Sequence, residues 1–85
     1  MKEKEIFEIA NDGTTMLQKK DFIRTMKRFC DISIVCKKTG YSDSVFYNAM
    51  KRIDDKYTDS ELRFILEMYA ILKERENINK LVGIN

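Results

Sequence analysis

Four hydrogen-bonding side chains recur at spacings of three and four in the middle of the chain: Ser44, Tyr47, Asn48 and Lys51. Residues at these spacings lie on one face of an α-helix. Hydroxyl and amide groups can bond to base edges in a DNA groove, and an ammonium group can contact phosphate. The set therefore predicts a helix face that reads double-stranded DNA. A plain solvated face is the alternative.

The opposite side of the same segment is apolar, with Val45, Phe46, Ala49, Met50 and Ile53 at helical spacing. Such a stripe is typical of a helix that packs one face against a core. The segment is thus expected to be a two-sided helix, buried through one face and free through the other.

Positive charge is concentrated around this segment. Residues 19–52 hold nine Lys and Arg against three acids, giving +6, whereas residues 1–18 and 53–85 each carry −2. A basic block of this kind indicates a polyanionic partner, although a solvated surface would look the same. The side chains expected to contact phosphates are Lys20, Arg24, Lys27, Arg28, Lys37, Lys38 and Arg52.

A short helix and a tight turn precede the two-sided helix. Asp31 is expected to cap a helix over residues 32–39, because its carboxylate suits a positive helix terminus. Gly40 stands where a left-handed residue would end that helix. Tyr41 is expected to enter the core, and Ser42 to cap the next helix with its side chain.

This pattern resembles the helix-turn-helix family of small regulators, such as phage repressors, Cro proteins and plasmid control proteins. Cys36 stands at the family's small-residue position, Gly40 matches the turn glycine, and Val35, Tyr41 and Phe46 match apolar core positions. Ile32, Thr39 and Ala49 depart from the usual residues. By this resemblance the base-contacting residues would be Ser42, Asp43, Ser44, Tyr47, Asn48 and Lys51.

Two further helices are expected. Thr14 or Thr15 can cap one that runs to about Cys30, with Lys19 on its apolar side. Thr58 and Glu61 form a capping box for the other, which should stop near Glu76. Residues 1–13 are either a short helix or, with an Asp-Gly turn, a hairpin with strands IFEIAN and TTMLQ. Residues 77–85 form a tail.

The last helix is apolar on two faces. One stripe, of Leu62, Ile65, Leu66, Tyr69 and Leu72, suits the core of the chain itself. A second stripe, of Phe64, Met68 and Ile71, has little chain left to cover it and predicts a homodimer interface. A narrow strip that includes Arg63, Glu67 and Glu74 remains polar.

Composition excludes several classes of protein. The 85 residues suit one domain, and no apolar run approaches the roughly 20 residues of a membrane span. There is no His, and Cys30 and Cys36 are expected to be buried reduced thiols. The sequence therefore predicts no metal site, no cofactor and no enzyme activity, in a cytoplasmic protein.

Taken together, the sequence predicts an all-α, small helical bundle with a central helix-turn-helix and a long C-terminal helix. The expected function is sequence-specific double-stranded DNA binding, as a transcriptional or replication regulator of a phage, plasmid or low-GC bacterium. The alternative is a protein-binding module, such as an inhibitor or adaptor built on the same scaffold.

Overall fold

A computed structural model describes residues 10–28 and 30–81. These residues form four α-helices and no strand: α1 (Met16–Met26), α2 (Asp31–Thr39), α3 (Asp43–Lys51) and α4 (Asp59–Leu81). Helix α4 contacts each of the other three, and α2 contacts α3. The expected all-α bundle is confirmed, with α4 as its central element.

Helix α1 begins with a capping box. Gln18 N–H donates to the Thr15 hydroxyl at 3.1 Å, and Thr15 N–H donates to the Gln18 side chain at 2.8 Å. The helix ends at Met26, before the predicted end at Cys30. Arg28 N–H donates to the Asp31 carboxylate at 2.6 Å in place of a helical carbonyl, so the chain leaves the helix here.

Asp31 is not the N-cap of α2, contrary to the prediction. It is the first helical residue, and its carboxylate is completely buried against Arg28 N–H and the Arg75 guanidinium. The end of α2 does follow the prediction. Gly40 has a left-handed φ of 80°, and its N–H closes the helix on Cys36 O at 2.8 Å.

The capping box of α4 is also present. Thr58 N–H donates to Glu61 at 2.8 Å, and Glu61 N–H donates to the Thr58 hydroxyl at 3.2 Å. The helix extends over 23 residues to Leu81, past the predicted stop at Glu76. Residues 77–81, expected in a tail, are therefore helical, and Ile78 and Leu81 are exposed.

The predicted dimer interface on α4 is wrong, because the chain itself covers that face. Phe64 and Met68 are 0% exposed, and Ile71 is half-buried. The Phe64 ring lies 5.6 Å from the ring of Phe46 on α3, while Tyr69 in the other stripe meets Phe22 of α1 at 5.4 Å. The two apolar stripes of α4 thus pack against different helices of one chain, which the sequence pattern of α4 cannot reveal.

Two smaller expectations also change. Met16, Leu17 and Gln18 are helical, so TTMLQ is not a strand of a hairpin; residues 1–9 lie outside the described part of the chain. Cys30 is exposed and Cys36 is half-buried, both as free thiols. Within residues 10–28 and 30–81, no helix is long and apolar enough to cross a bilayer.

Candidate nucleic-acid interface

Helix α3 has the two-sided character that its sequence predicts. Phe46 and Ala49 are buried, and Val45 and Met50 are half-buried against the core. Ile53 is the exception, because α3 ends at Lys51 and Ile53 lies fully exposed in the connection that follows. The side chains here called the α3 outer face are all exposed: Ser44, Tyr47, Asn48 and Lys51.

The α3 outer face is held by packing on its inner side. The Phe46 ring makes edge contacts with Tyr47 at 5.5 Å between centroids and lies tilted against Phe64 at 5.6 Å. Tyr47 therefore packs against Phe46 and is still 48% exposed to solvent. Rigid support of this kind lowers the entropy that a side chain loses when it makes a contact.

The first turn of α3 contains the two other residues predicted to read bases. Ser42 is the N-cap, as expected, but its hydroxyl bonds to the Ser44 hydroxyl at 2.7 Å and caps no backbone N–H. Ser42 and Asp43 are both exposed. Together with Tyr47, Lys27 and Lys37 they line an open groove of about 490 Å³ between α2 and α3. The structure thus brings the predicted N-terminal contacts to one concave surface.

Lys20 cannot contact phosphate, contrary to the prediction. It is 3% exposed, and its ammonium donates to Ala49 O at 3.2 Å, Arg52 O at 2.7 Å and the Tyr57 hydroxyl at 2.9 Å. The same group lies 5.2 Å from the Tyr57 ring centroid. Three acceptors use all three donors of an ammonium group, and two of them are carbonyls at the negative end of α3. Lys20 therefore holds the C-terminal end of α3 in place.

Lys19, which was predicted on the apolar side of α1, is also buried. Its ammonium donates to the carbonyl and hydroxyl oxygens of Thr14, both at 2.7 Å, and lies 3.9 Å from Asp12. Burial alone would raise the pKa of Asp12, but hydrogen bonds from Thr14 and Tyr69 and the charge of Lys19 lower it to about 2. The Lys19 ammonium is therefore bound to groups of the same chain.

Three more of the predicted phosphate contacts are engaged with acids. Arg24 pairs with Asp21 at 2.7 Å in an exposed contact. Lys38 lies 2.8 Å from Glu67. Arg52 pairs with Glu61 at 3.1 Å and with Asp54 at 3.4 Å. The exposed pair can exchange with solvent or a ligand at small cost, whereas Glu67 and Glu61 are buried and need their cations.

Glu67 on α4 is buried, although the sequence predicted it in a polar strip. It is 0% exposed, with Arg63 Nε 2.8 Å from Oε1. Lys38 Nζ lies 2.8 Å from Oε2, although without the direction of a hydrogen bond. The two apolar stripes that flank Glu67 were the available signal, because a helix apolar on two sides leaves no solvent face between them.

Charge pairing also tunes the acids near the end of α3. The N–H of Thr58 lowers the pKa of Glu61 most, opposed by burial, and the hydrogen bond from Arg52 lowers it further. In return, the bond to Glu61 raises the pKa of Arg52. Arg52 is thus fixed against α4 and is a poor candidate for phosphate.

Four cations of the basic block remain exposed and form no ion pair within 4 Å to an acid in the described ranges: Lys27, Arg28, Lys37 and Lys51. Lys27 and Lys37 flank the groove at the start of α3, and Lys51 ends that helix. Three of these four cations therefore lie beside α3 or at its C-terminal end.

No described cluster of three His, Cys, Asp or Glu could hold a metal ion in residues 10–28 and 30–81. Among known proteins, no family model, no curated protein and no solved structure matches this chain.

Proposed function

We propose that this chain binds double-stranded DNA sequence-specifically, with α3 in the major groove. One observation carries the proposal. Three exposed cations without an internal ion pair, Lys27, Lys37 and Lys51, lie at the groove beside α3 or at the end of that helix. They adjoin a helix face of hydroxyl, phenol and amide groups, while the other cations of the block apart from Arg28 are paired or buried. A helix of this width and chemistry matches the major groove of B-form DNA.

The cations set position and affinity in this mechanism. Lys27, Lys37 and Lys51 have ammonium groups on exposed side chains, so they can move to nearby phosphates without breaking an internal ion pair. Each phosphate that is neutralised releases condensed counterions. Four such contacts, including Arg28, give a slope of roughly −3 to −4 for log affinity against log salt concentration.

The α3 outer face supplies base recognition. Asn48 carries an amide that can donate and accept at once, which matches N7 and the N6 amino group of adenine. Ser44 and Tyr47 offer hydroxyl groups to neighbouring base edges, and Asp43 can accept from a cytosine amino group. Each well-formed contact discriminates against a wrong base by about 1–3 kcal/mol.

The biological role that fits this activity is transcriptional or replication control in a phage, plasmid or low-GC bacterium. The resemblance of residues 32–53 to helix-turn-helix regulators supports this role, as does the abundance of Lys, Ile and Asn in a short chain. Phosphate contacts alone would give nonspecific binding, so the regulatory role depends on the α3 outer face.

The test begins with selection of duplexes from a random pool, because the target sequence is part of what must be found. Affinity for the selected duplex is then measured across a salt series. We expect enrichment of a defined motif and a salt slope of roughly −3 to −4. Recovery of no motif, together with no binding at low salt, would overturn the proposal.

Single variants distinguish base recognition from electrostatic contact with phosphates. Asn48→Ala should lose about 1–3 kcal/mol at one base position and keep the salt slope, whereas Lys51→Ala should weaken binding to all duplexes and reduce the slope by about one. Lys80→Ala is the matched control, since Lys80 is an exposed lysine near the far end of α4. Equal effects of Lys51→Ala and Lys80→Ala would contradict the placement of DNA on α3.

A further inference from the structure

Two large aliphatic side chains are exposed near the C-terminal end of α3. Ile53, in the connection after α3, is fully exposed, and Leu17, in the first turn of α1, is 65% exposed. Single exposed aliphatic residues are common on soluble proteins. These two differ because they line the same open groove of about 390 Å³, together with Arg24, Met50 and Tyr57.

On this surface the Ile53 side chain projects between two open grooves. Ile53 also lines a second open groove of about 490 Å³, with Val45, Asn48 and Thr58. A fully exposed side chain shared by two grooves forms the ridge between them. The groove on the Leu17 side, here called the Leu17–Ile53 groove, has apolar lining from Leu17, Met50 and the Tyr57 ring. The exposed Ile53 side chain therefore lies beside a hollow that is partly apolar and otherwise lined by charged residues.

The groove carries an exposed cation on its α1 wall and exposed acids on the wall formed by the connection. The α1 wall carries Arg24, which is exposed and held only by its exposed pair with Asp21 and a 3.4 Å bond to Met50 O. The wall formed by the connection carries Asp54, which is paired with the neighbouring Arg52 at 3.4 Å, and the exposed Asp55. An exposed pair such as Arg24–Asp21 contributes little, so Arg24 is free to exchange partners.

We propose that the Leu17–Ile53 groove is the contact between two copies of this chain, related by a two-fold axis. In such a contact each residue i meets residue j of the partner while j meets i. Ile53 of one copy enters the Leu17–Ile53 groove of the other, and the Arg24 wall of each copy faces the Asp54–Asp55 wall of the other. With a two-fold axis, the apolar insertion and the contact between the charged walls both occur twice, once on each side of the axis.

This contact replaces the dimer surface expected on α4, where Phe64 and Met68 are internal. It uses residues at the C-terminal end of α3 and in α1. Asn48 and Lys51 line the second groove on the other side of Ile53, whereas Ser44 and Tyr47 line neither groove. The proposal is independent of DNA binding, because the contact involves protein surfaces only and is measured without nucleic acid.

Sedimentation equilibrium of the full chain without DNA tests the contact. We expect the wild-type protein to reach the mass of a dimer with rising concentration. Ile53→Asp should raise the dissociation constant about a hundredfold, because it removes an inserted aliphatic side chain from both halves of the symmetric contact. Ile53 makes no buried contact, so the variant should keep its thermal midpoint. Ile78→Asp is the control, because Ile78 is an exposed isoleucine at the end of α4.

Charge reversal tests the pairing of the walls. Arg24→Glu and Asp55→Arg should each weaken the dimer about fivefold, and the double variant should return to the wild-type constant because both ion pairs are rebuilt in reverse. A wild-type protein that stays monomeric up to about 1 mM overturns the proposal. Equal loss in Ile53→Asp and Ile78→Asp, or no recovery in the double variant, also overturns it.

Discussion

Arg75 on α4 binds the buried carboxylate of Asp31, the first residue of α2, with both of its terminal nitrogens. Arg75 Nη1 donates to Asp31 Oδ2 at 3.1 Å, and Nη2 donates to Oδ1. Burial by itself would raise the pKa of Asp31, but the bonds from Arg75 and from Arg28 N–H lower it. A paired, two-pronged contact of this kind ties the start of α2 to the central helix.

Replacement of Arg75 with Leu should destabilise the protein strongly. The variant leaves the Asp31 charge buried with only the Arg28 N–H as a partner, which costs about 3 kcal/mol or more. Urea unfolding measures the change. Lys80→Ala, which breaks the exposed pair with Glu76, should change stability by about 0.5 kcal/mol at most. Similar values for the two variants would show that the Asp31 pair is not buried in solution.

Lys20 and Lys27 should separate stability from binding. Lys20→Met leaves Arg52 O without its side-chain donor and Ala49 O with only the 3.3 Å bond from Arg52 N–H, which costs about 1–3 kcal/mol. Lys27→Met removes an exposed charge and should change stability by about 0.5 kcal/mol or less. Urea unfolding of both variants checks this difference. In the DNA assay we expect the folded Lys27→Met variant to bind more weakly, and loss of stability in Lys27→Met alone would reverse the assignment of these two residues.

Met68→Ala should destabilise the monomer and not an interface. Met68 is fully buried in the core cluster, so its truncation should cost about 2–5 kcal/mol. Because that cost arises within one chain, it should be the same at low and high protein concentration. Chemical unfolding at two concentrations tests this point. A cost that grows with protein concentration would restore the α4 face as a contact between copies.

Asp12 should make the protein sensitive to acid. Its pKa falls from 3.8 to about 2 in the folded chain, so the stability it contributes is complete above its unfolded pKa. That contribution is lost as the pH falls from about 3.8 toward 2, because the unfolded state takes up the proton first. Asp12→Asn should flatten the decline of the urea midpoint over this range. Tyr69→Phe removes one of the two hydrogen-bonding side chains from Asp12 and should flatten it less.

Much of the local structure follows from short-range sequence signals. The Thr58–Glu61 capping box starts α4, Gly40 ends α2 with a left-handed residue, and Phe46 and Ala49 face inward from α3. These features depend on residues within one or two turns of each other, so a single sequence contains the information they need.

The errors share a different cause. Helix α4 was expected to stop at Glu76, and its second apolar stripe was expected to need a partner. The expectation of a partner rested on how little chain remains to cover the second stripe. In the folded chain α4 contacts three helices, and Phe46 covers Phe64 from within. The number of neighbours around a helix depends on how all the helices are arranged, and periodicity alone does not contain that number.

The charged residues show the same division most clearly. The sequence by itself determined four helical segments, the turn at Gly40, and a basic block whose outward face on α3 carries Tyr47 and Asn48. Only the tertiary structure decided that Lys20 lies inside against Ala49 O while Lys27 remains exposed. Helical spacing places a lysine on one face of a helix. Whether its ammonium is buried with internal partners or remains exposed depends on which element packs against that face.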